Sequence, residues 1–115
     1  MIQGAAKPYL DPFLLTEKVF QGHVKQLALI CGFRVYHTHD SRRSDAGFPD
    51  LVMIRRGRLI VAELKREKGK TTPDQEAWIE AFRETGAETY VWRPADWLEI
   101  VRVIGGEIGR SKAVV

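Results

Sequence analysis

Cysteine is nearly absent from this chain: among 115 residues there is one, Cys31. An internal disulfide is therefore excluded, as is a zinc site built from thiolates, and a reducing compartment is expected. Cys31 itself reads as plain core. Histidine is scarce too, with three residues in all. His37 and His39 have the spacing of one strand face, but no further His or Cys completes a metal set with them, and His23 stands alone on a helical segment. No apolar run approaches the roughly 20 residues that span a bilayer. Met1 to Leu15 lacks the basic start and apolar stretch of a secretory leader, so an intracellular, cytoplasmic protein is expected. Internal repeats and low-complexity tracts are also missing.

What remains is a chain sized for one domain, with 44% hydrophobic residues for a single core. Net charge is +3 and the isoelectric point is near 9.2, a modest excess that agrees with a polyanionic partner. Ten basic residues, from Arg34 to Lys70, fall in one stretch of the chain, and their clustering predicts phosphate contacts around a site there. Arg42 and Arg43 lie in the polar segment after His39, while Arg66, Lys68 and Lys70 lie in a charged loop after Lys65.

The most informative segment is GFPDLVMIRRGRLIVAELK, Gly47 to Lys65. Two apolar runs, Asp50 to Arg55 and Arg58 to Lys65, flank Arg56-Gly57, the pattern of an antiparallel hairpin with a two-residue turn. With that turn, paired positions sum to 113 and Asp50 falls opposite Glu63, with β-carbons about 5 Å apart. Lys65 shares the face of Glu63 because strand side chains alternate. Both faces of the hairpin are largely apolar, as a central pair covered on two sides requires. Two carboxylates opposed on a buried ladder repel unless they share a proton, a cation bridges them, or Lys65 compensates. A divalent cation resolves the conflict most productively, and magnesium suits carboxylate oxygens while keeping waters for chemistry on a phosphate. The plain alternative is a half-exposed hairpin with a Glu63–Lys65 surface pair.

Around this hairpin the periodicity predicts further elements. Thr16 caps a helix whose stripe is Phe20, Val24, Leu27 and Cys31, ended by Gly32. Extending the stripe back places Glu17 either toward the sheet or on the surface, complementing the helix dipole. Phe33 to Thr38 reads as a strand. Thr72-Pro73-Asp74-Gln75 opens a helix with a capping box, and Gln75 shares a stripe with Trp78, Ala81 and Phe82 that faces inward. Glu88 to Trp92 reads as a strand, and Pro94-Ala95-Asp96 opens a last helix carrying Trp97, Leu98, Val101 and Ile104. The three tryptophans read as core. The order helix, strand, hairpin, helix, strand, helix gives an α/β domain with a mixed sheet, whose parallel pair comes from the crossover helix at 73–85. Residues 1–15 read as an arm, 16–104 as the domain and 105–115 as a tail.

Asp50 followed by Glu63-Leu64-Lys65 resembles the signature of PD-(D/E)XK nucleases. More narrowly, Gly47 to Val52, Glu63-Leu64-Lys65, Gln75 and Tyr90-Val91-Trp92-Arg93-Pro94 are similar to the VRR-NUC family. The resemblance runs from about Thr16 to about Val103. It implies a restriction-endonuclease-like fold and a Mg²⁺- or Mn²⁺-dependent endonuclease. On that basis Asp50, Glu63 and the Leu64 carbonyl would hold metal, Lys65 would be catalytic, and Glu17 and Gln75 would support them, Glu17 as a further metal contact. Standalone members are homodimers that act on four-way (Holliday) DNA junctions, which implies branched DNA as partner and a second copy. A flap- or restriction-type nuclease, or a non-catalytic DNA-binding module, would use the same fold.

Overall fold

Thr16 accepts a hydrogen bond from the Val19 N–H at 3.1 Å and so starts the first helix of the computed structural model, which describes residues 15–39 and 44–106. That helix, α1, runs over Glu17–Ile30 and buries Phe20, Val24 and Ala28, one residue per turn along a single stripe. Leu27 and Cys31 pack partly buried beside it.

Four strands follow: β1 (Arg34–His37), β2 (Leu51–Arg55), β3 (Arg58–Leu64) and β4 (Glu88–Trp92). They form one sheet in the order β1-β2-β3-β4. The first three are antiparallel, and β3 and β4 are parallel. The hairpin register is the expected one, with Arg55 against Arg58 and Leu51 against Ala62. Arg56 and Gly57 have φ of 48° and 82°. Two successive positive angles make the turn whose twist matches that of the strands, and Gly57 takes its half without a Cβ penalty.

The helix that makes the parallel pair possible, α2 (Pro73–Glu84), begins with a complete capping box. The Thr72 side chain accepts from Gln75 N–H at 3.2 Å, and Gln75 Oε1 accepts from Thr72 N–H at 2.9 Å. Its inward residue is Ile79 rather than Ala81, which is exposed; Trp78 and Phe82 are half-buried. The expected stripe was rotated by part of a turn, because the helix is anchored by aromatic packing on a loop and not only by the sheet.

A 3₁₀ turn at Pro94–Asp96, closed by Asp96 accepting from Arg93 N–H at 2.9 Å, precedes α3 (Trp97–Ile104). Ile100, Val103 and Ile104 are buried, whereas Leu98 is 81% exposed. Of the three tryptophans only Trp92 is fully buried; Trp78 and Trp97 are intermediate.

The core fills the space between α1, α3 and one face of the sheet: Phe20, Val24 and Ala28 meet Leu51, Met53, Ile60, Ala62, Leu64 and Trp92, with Ile100, Val103 and Ile104 closing it. The other face carries Val61 and Glu63 and is covered by α2 over β3 and β4 only. Toward the turn this second face is open, with Ile54 50% exposed. Coverage on both sides is thus complete at the Glu63 end of the hairpin and lost at the other. No helix of the described residues is long and apolar enough to cross a membrane.

Candidate active site

Because β1, β2 and β3 alternate in direction and β4 runs with β3, the end of β1, the start of β2 and the ends of β3 and β4 all lie at one end of the sheet. Asp50 immediately precedes β2 there. Its backbone carbonyl accepts from Thr38 N–H at 2.9 Å, and the Thr38 hydroxyl donates to the Pro49 carbonyl at 2.9 Å, so the end of β1 holds the Pro49-Asp50 peptide in place. The Asp50 carboxylate then reaches across and accepts from Leu64 N–H at 2.8 Å. Glu63, opposite Asp50 by register, is 2% exposed. Lys65 Nζ lies 3.4 Å from Glu63 Oε2, and Lys65 N–H donates to the Trp92 carbonyl at 3.0 Å.

Burial raises both carboxyls above their ordinary range. For Glu63, desolvation and the neighbouring Asp50 push the value up to about 8, against the counteracting Lys65. Asp50 is also raised by burial, resisted by the Leu64 N–H, by Lys65 and by a side-chain hydrogen bond with Glu63. Glu17, at the first turn of α1, is raised by burial and by Asp50 and lowered by Lys65 and Arg66. Glu17 is half-buried and lies in the field of the same groups.

This arrangement is one that a hard cation relieves: two oxygen-donor carboxyls held together, each disfavoured as an anion without a counter-charge. Among the described residues no three Asp, Glu, His or Cys side chains converge to cage an ion. The donor set therefore fits a cation that keeps much of its water, as magnesium does, and not a fully protein-ligated zinc.

Gly47 sets the approach to Asp50. Its φ is +86°, and a Cβ there would lie 2.5 Å from the Asp74 backbone. The next residue, Phe48, packs edge-on against Trp78 and Phe82, with centroids at 5.0 and 5.9 Å, while Trp78 Nε1 donates to the Ala46 carbonyl at 3.1 Å. The loop before Asp50 is thereby clamped to the first turns of α2. Gln75 lines the cleft beside Asp50, so it caps the helix and faces the site at once.

On the β4 side, the loop after Lys65 has a regular alternation. Arg66, Lys68 and Lys70 are exposed, and Glu67, Gly69 and Thr71 between them are half-buried. The inner set is tied down: Arg93 donates to the Gly69 carbonyl at 2.7 Å, Ala95 N–H donates to Glu67 at 3.1 Å, and the Thr71 hydroxyl donates to Glu76 at 2.6 Å. Three basic side chains are thus presented in a row beside Lys65.

The remaining basic residues do not gather at the site. Arg34 starts β1, and Arg55, Arg56 and Arg58 surround the hairpin turn, at the opposite end of the sheet. Five residue steps along β3 separate Arg58 from Glu63, about 17 Å. Arg58 is committed to Glu88 by two hydrogen bonds, of 2.8 and 2.7 Å, and stacks with Arg55 on Phe33. Closeness along the chain was misleading because a strand carries its ends far apart. Arg42 and Arg43 lie outside the described residues.

The sequence profile of the VRR-NUC domain matches residues 15–96 of this chain. The chain belongs to the VRR-NUC family. Two solved structures agree. One, a VRR-NUC domain protein, superposes with a TM-score of 0.64 at 25% identity, covering 83% of this chain and 89% of its own. Another, a VRR-NUC domain, gives 0.62 at 28% identity over 76% and 95%. No curated protein matches the chain. Membership in the VRR-NUC family makes this a nuclease-type, DNA-processing domain, of a family that is generally metal-dependent.

Sequence reasoning missed several residues of this VRR-NUC site. Thr38 and Arg93 act through hydrogen bonds to backbone carbonyls, and nothing in composition or period marks such a bond. The segment after Lys65 was read only as a charged loop; its alternation Arg66-Glu67-Lys68-Gly69-Lys70 is the signal that matches the exposed and half-buried residues of the structure.

Proposed function

We propose that this chain is a divalent-cation-dependent, structure-selective DNA endonuclease that hydrolyses phosphodiester bonds, with four-way junctions as its substrate class. The observation that supports this most is the half-buried Asp50 opposite the buried Glu63, with Lys65 Nζ 3.4 Å from Glu63. In a structural role such a pair would be costly, and a solvent-exposed ion pair would not be 2% exposed.

Asp50, Glu63 and the Leu64 carbonyl would hold the cation, with Glu17, in the field of Asp50 and Lys65, as a further contact. Bound Mg²⁺ or Mn²⁺ supplies positive charge at the scissile phosphate and acidifies water. The Leu64 N–H fixes one oxygen of the Asp50 carboxylate and with it the orientation of the group. Lys65, with its backbone pinned to β4, presents its ammonium to the attacking water or to the charge that builds on the phosphate oxygens. Gln75 spends its carbonyl oxygen on the helix cap and keeps its NH₂ donor for the cleft. Arg66, Lys68 and Lys70 contact flanking phosphates, which position DNA without reading bases. A domain of residues 16–104 has little surface for reading a long sequence, so shape is what it distinguishes. Two copies would give the symmetric sites that paired cuts in opposing strands of a junction need. The free Cys31 suits a reducing, intracellular compartment.

The test is incubation of purified protein with labelled four-way junction, linear duplex, flap and single strand in Mg²⁺ or Mn²⁺, with EDTA and Asp50→Ala as controls. Paired, metal-dependent cutting of the junction that disappears in the variant is expected. Preferential cutting of the flap or duplex would replace the substrate class, and survival of all four DNAs at low salt would remove the catalytic reading.

A further inference from the structure

On the β1 side of the site lies a cleft of about 440 Å³, which Asp50 and Gln75 border and which extends away from Glu63 and Lys65. One wall comes from Lys18 and Gln21, three residues apart and so on one face of α1; another comes from His37, Thr38 and His39 at the end of β1. His37 is half-buried and fixed, its Nε2 2.8 Å from Gln21 Oε1. His39 is exposed, with its ring 5.0 Å from that of His37 and tilted by 55°. The pair does not make a metal site: one His37 nitrogen is already engaged by Gln21, and no third ligand joins among the described residues. The lining includes the Phe48 ring and the Asp45 and Asp50 carboxylates, but the α1 and β1 walls carry N–H donors from Lys18, Gln21, His37 and His39, and those walls suit an anion better than a stacked base.

The position of the cleft gives it a meaning. Across the end of the sheet, in strand order, come the cleft after β1, Asp50 and Glu63 on β2 and β3, and the basic row of residues 66–70 pinned to the end of β4. Neighbouring strands are about 4.8 Å apart, so this line is about 14 Å long, enough for a few linked phosphates centred on the carboxylates. The basic row serves one side of the scissile bond, and on the other side, among the described residues, Lys18 and His39 are exposed donors lining the cleft. Asp45 also lines the cleft and is exposed to solvent.

We propose that this cleft binds the phosphodiester next to the scissile one, on the side opposite the basic row, with Lys18 and His39 donating to its oxygens and the Gln21–His37 bond bracing His39. The inference rests on the nuclease reading for which phosphate is cut, but its binding part does not.

The experiment uses the same labelled DNA with a single uncharged methylphosphonate linkage placed in turn at each position around the cut. Binding is measured by fluorescence anisotropy in EDTA and cleavage in Mg²⁺, for the wild type, for Lys18→Ala/His39→Ala, and for Arg102→Gln as a control near the hairpin-turn end. Both cleft residues are exposed, so an unchanged melting curve will show that the fold is intact. The expected result is a roughly ten-fold loss of wild-type binding, and a larger rise in KM than fall in kcat, when one linkage adjacent to the cut is neutral. The double variant should bind unmodified DNA correspondingly weakly and be indifferent to that linkage. If the double variant and the wild type respond alike at every linkage, the subsite is refuted. If DNA is never cut, the nuclease reading falls and with it the placement beside a scissile bond, whereas a linkage-specific binding loss that the double variant lacks would still establish the phosphate site.

Discussion

Glu63→Gln should make the cation-free protein more stable at pH 8, although it removes a residue from the centre of the site. In the fold the Glu63 carboxyl is pushed up to about 8, and in the unfolded chain it returns to about 4.5. Between those values the folded state holds a proton that the unfolded state has released, so unfolding free energy falls as pH rises. The stabilising protonation is complete below about pH 4.5 and is lost by the time pH passes 8. A difference of about 3.5 units corresponds to a ceiling of about 5 kcal/mol at 1.36 kcal/mol per unit. Asp50 hydrogen-bonds Glu63 and Lys65 sits at 3.4 Å, so the expected loss is on the order of 2–4 kcal/mol. Urea unfolding from pH 5.5 to 8.5 in EDTA, followed by circular dichroism, measures it. The wild type should lose stability with pH relative to Glu63→Gln, and millimolar Mg²⁺ should restore the wild type alone at pH 8. A wild type that holds or gains stability relative to Glu63→Gln between pH 5.5 and 8 in EDTA would refute the reasoning, as would a variant less stable than wild type at pH 8.

Other perturbations have equally definite outcomes. Gly47→Ala forces a side chain into the Asp74 backbone at a positive φ, which should cost several kcal/mol in thermal unfolding and disrupt the Asp50 loop. Arg93→Ala frees the Gly69 carbonyl and should raise KM for DNA several-fold with a smaller change in kcat, with Arg93→Lys recovering part of the loss. Replacing Arg66, Lys68 and Lys70 by Gln should flatten the dependence of log K on log salt by up to about 2.7, at about 0.9 per phosphate contact; an unchanged slope would remove these residues from the interface. Arg58→Met, at the opposite end, should leave that slope unchanged and destabilise the fold by about 2–4 kcal/mol, because the half-buried Glu88 loses both guanidinium hydrogen bonds.

The fold was legible wherever one short-range rule decided the outcome. The Arg56-Gly57 turn set the hairpin register, and with it the opposition of Asp50 and Glu63, because a two-residue loop leaves no freedom in pairing. Thr16 and Thr72 marked helix starts through caps that are local bonds. Legibility failed where tertiary packing chose among residues of similar polarity. Ala81 and Ile79 both fit the stripe of α2, and the Phe48–Trp78 contact selected Ile79. Leu98 reads as core by composition, but α3 turns it outward to bury Ile100, Val103 and Ile104. The arginines of the hairpin show the limit most plainly: sequence placed them near Asp50, and strand length carried them away.

The hairpin that joins Asp50 to Glu63 imposes a parity on how this chain can change length. Twelve residues lie between the two acids, half on each side of the turn's midpoint. A single insertion in one arm would swing every later side chain of that arm to the opposite face, sending Glu63 into the Phe20 core and Leu64 out beside Asp50. One residue added to each arm would instead lengthen the ladder and leave the acids opposed. Working descendants of this sequence should therefore vary in hairpin length by matched pairs of residues, with unpaired additions confined to the turn or absorbed in a bulge.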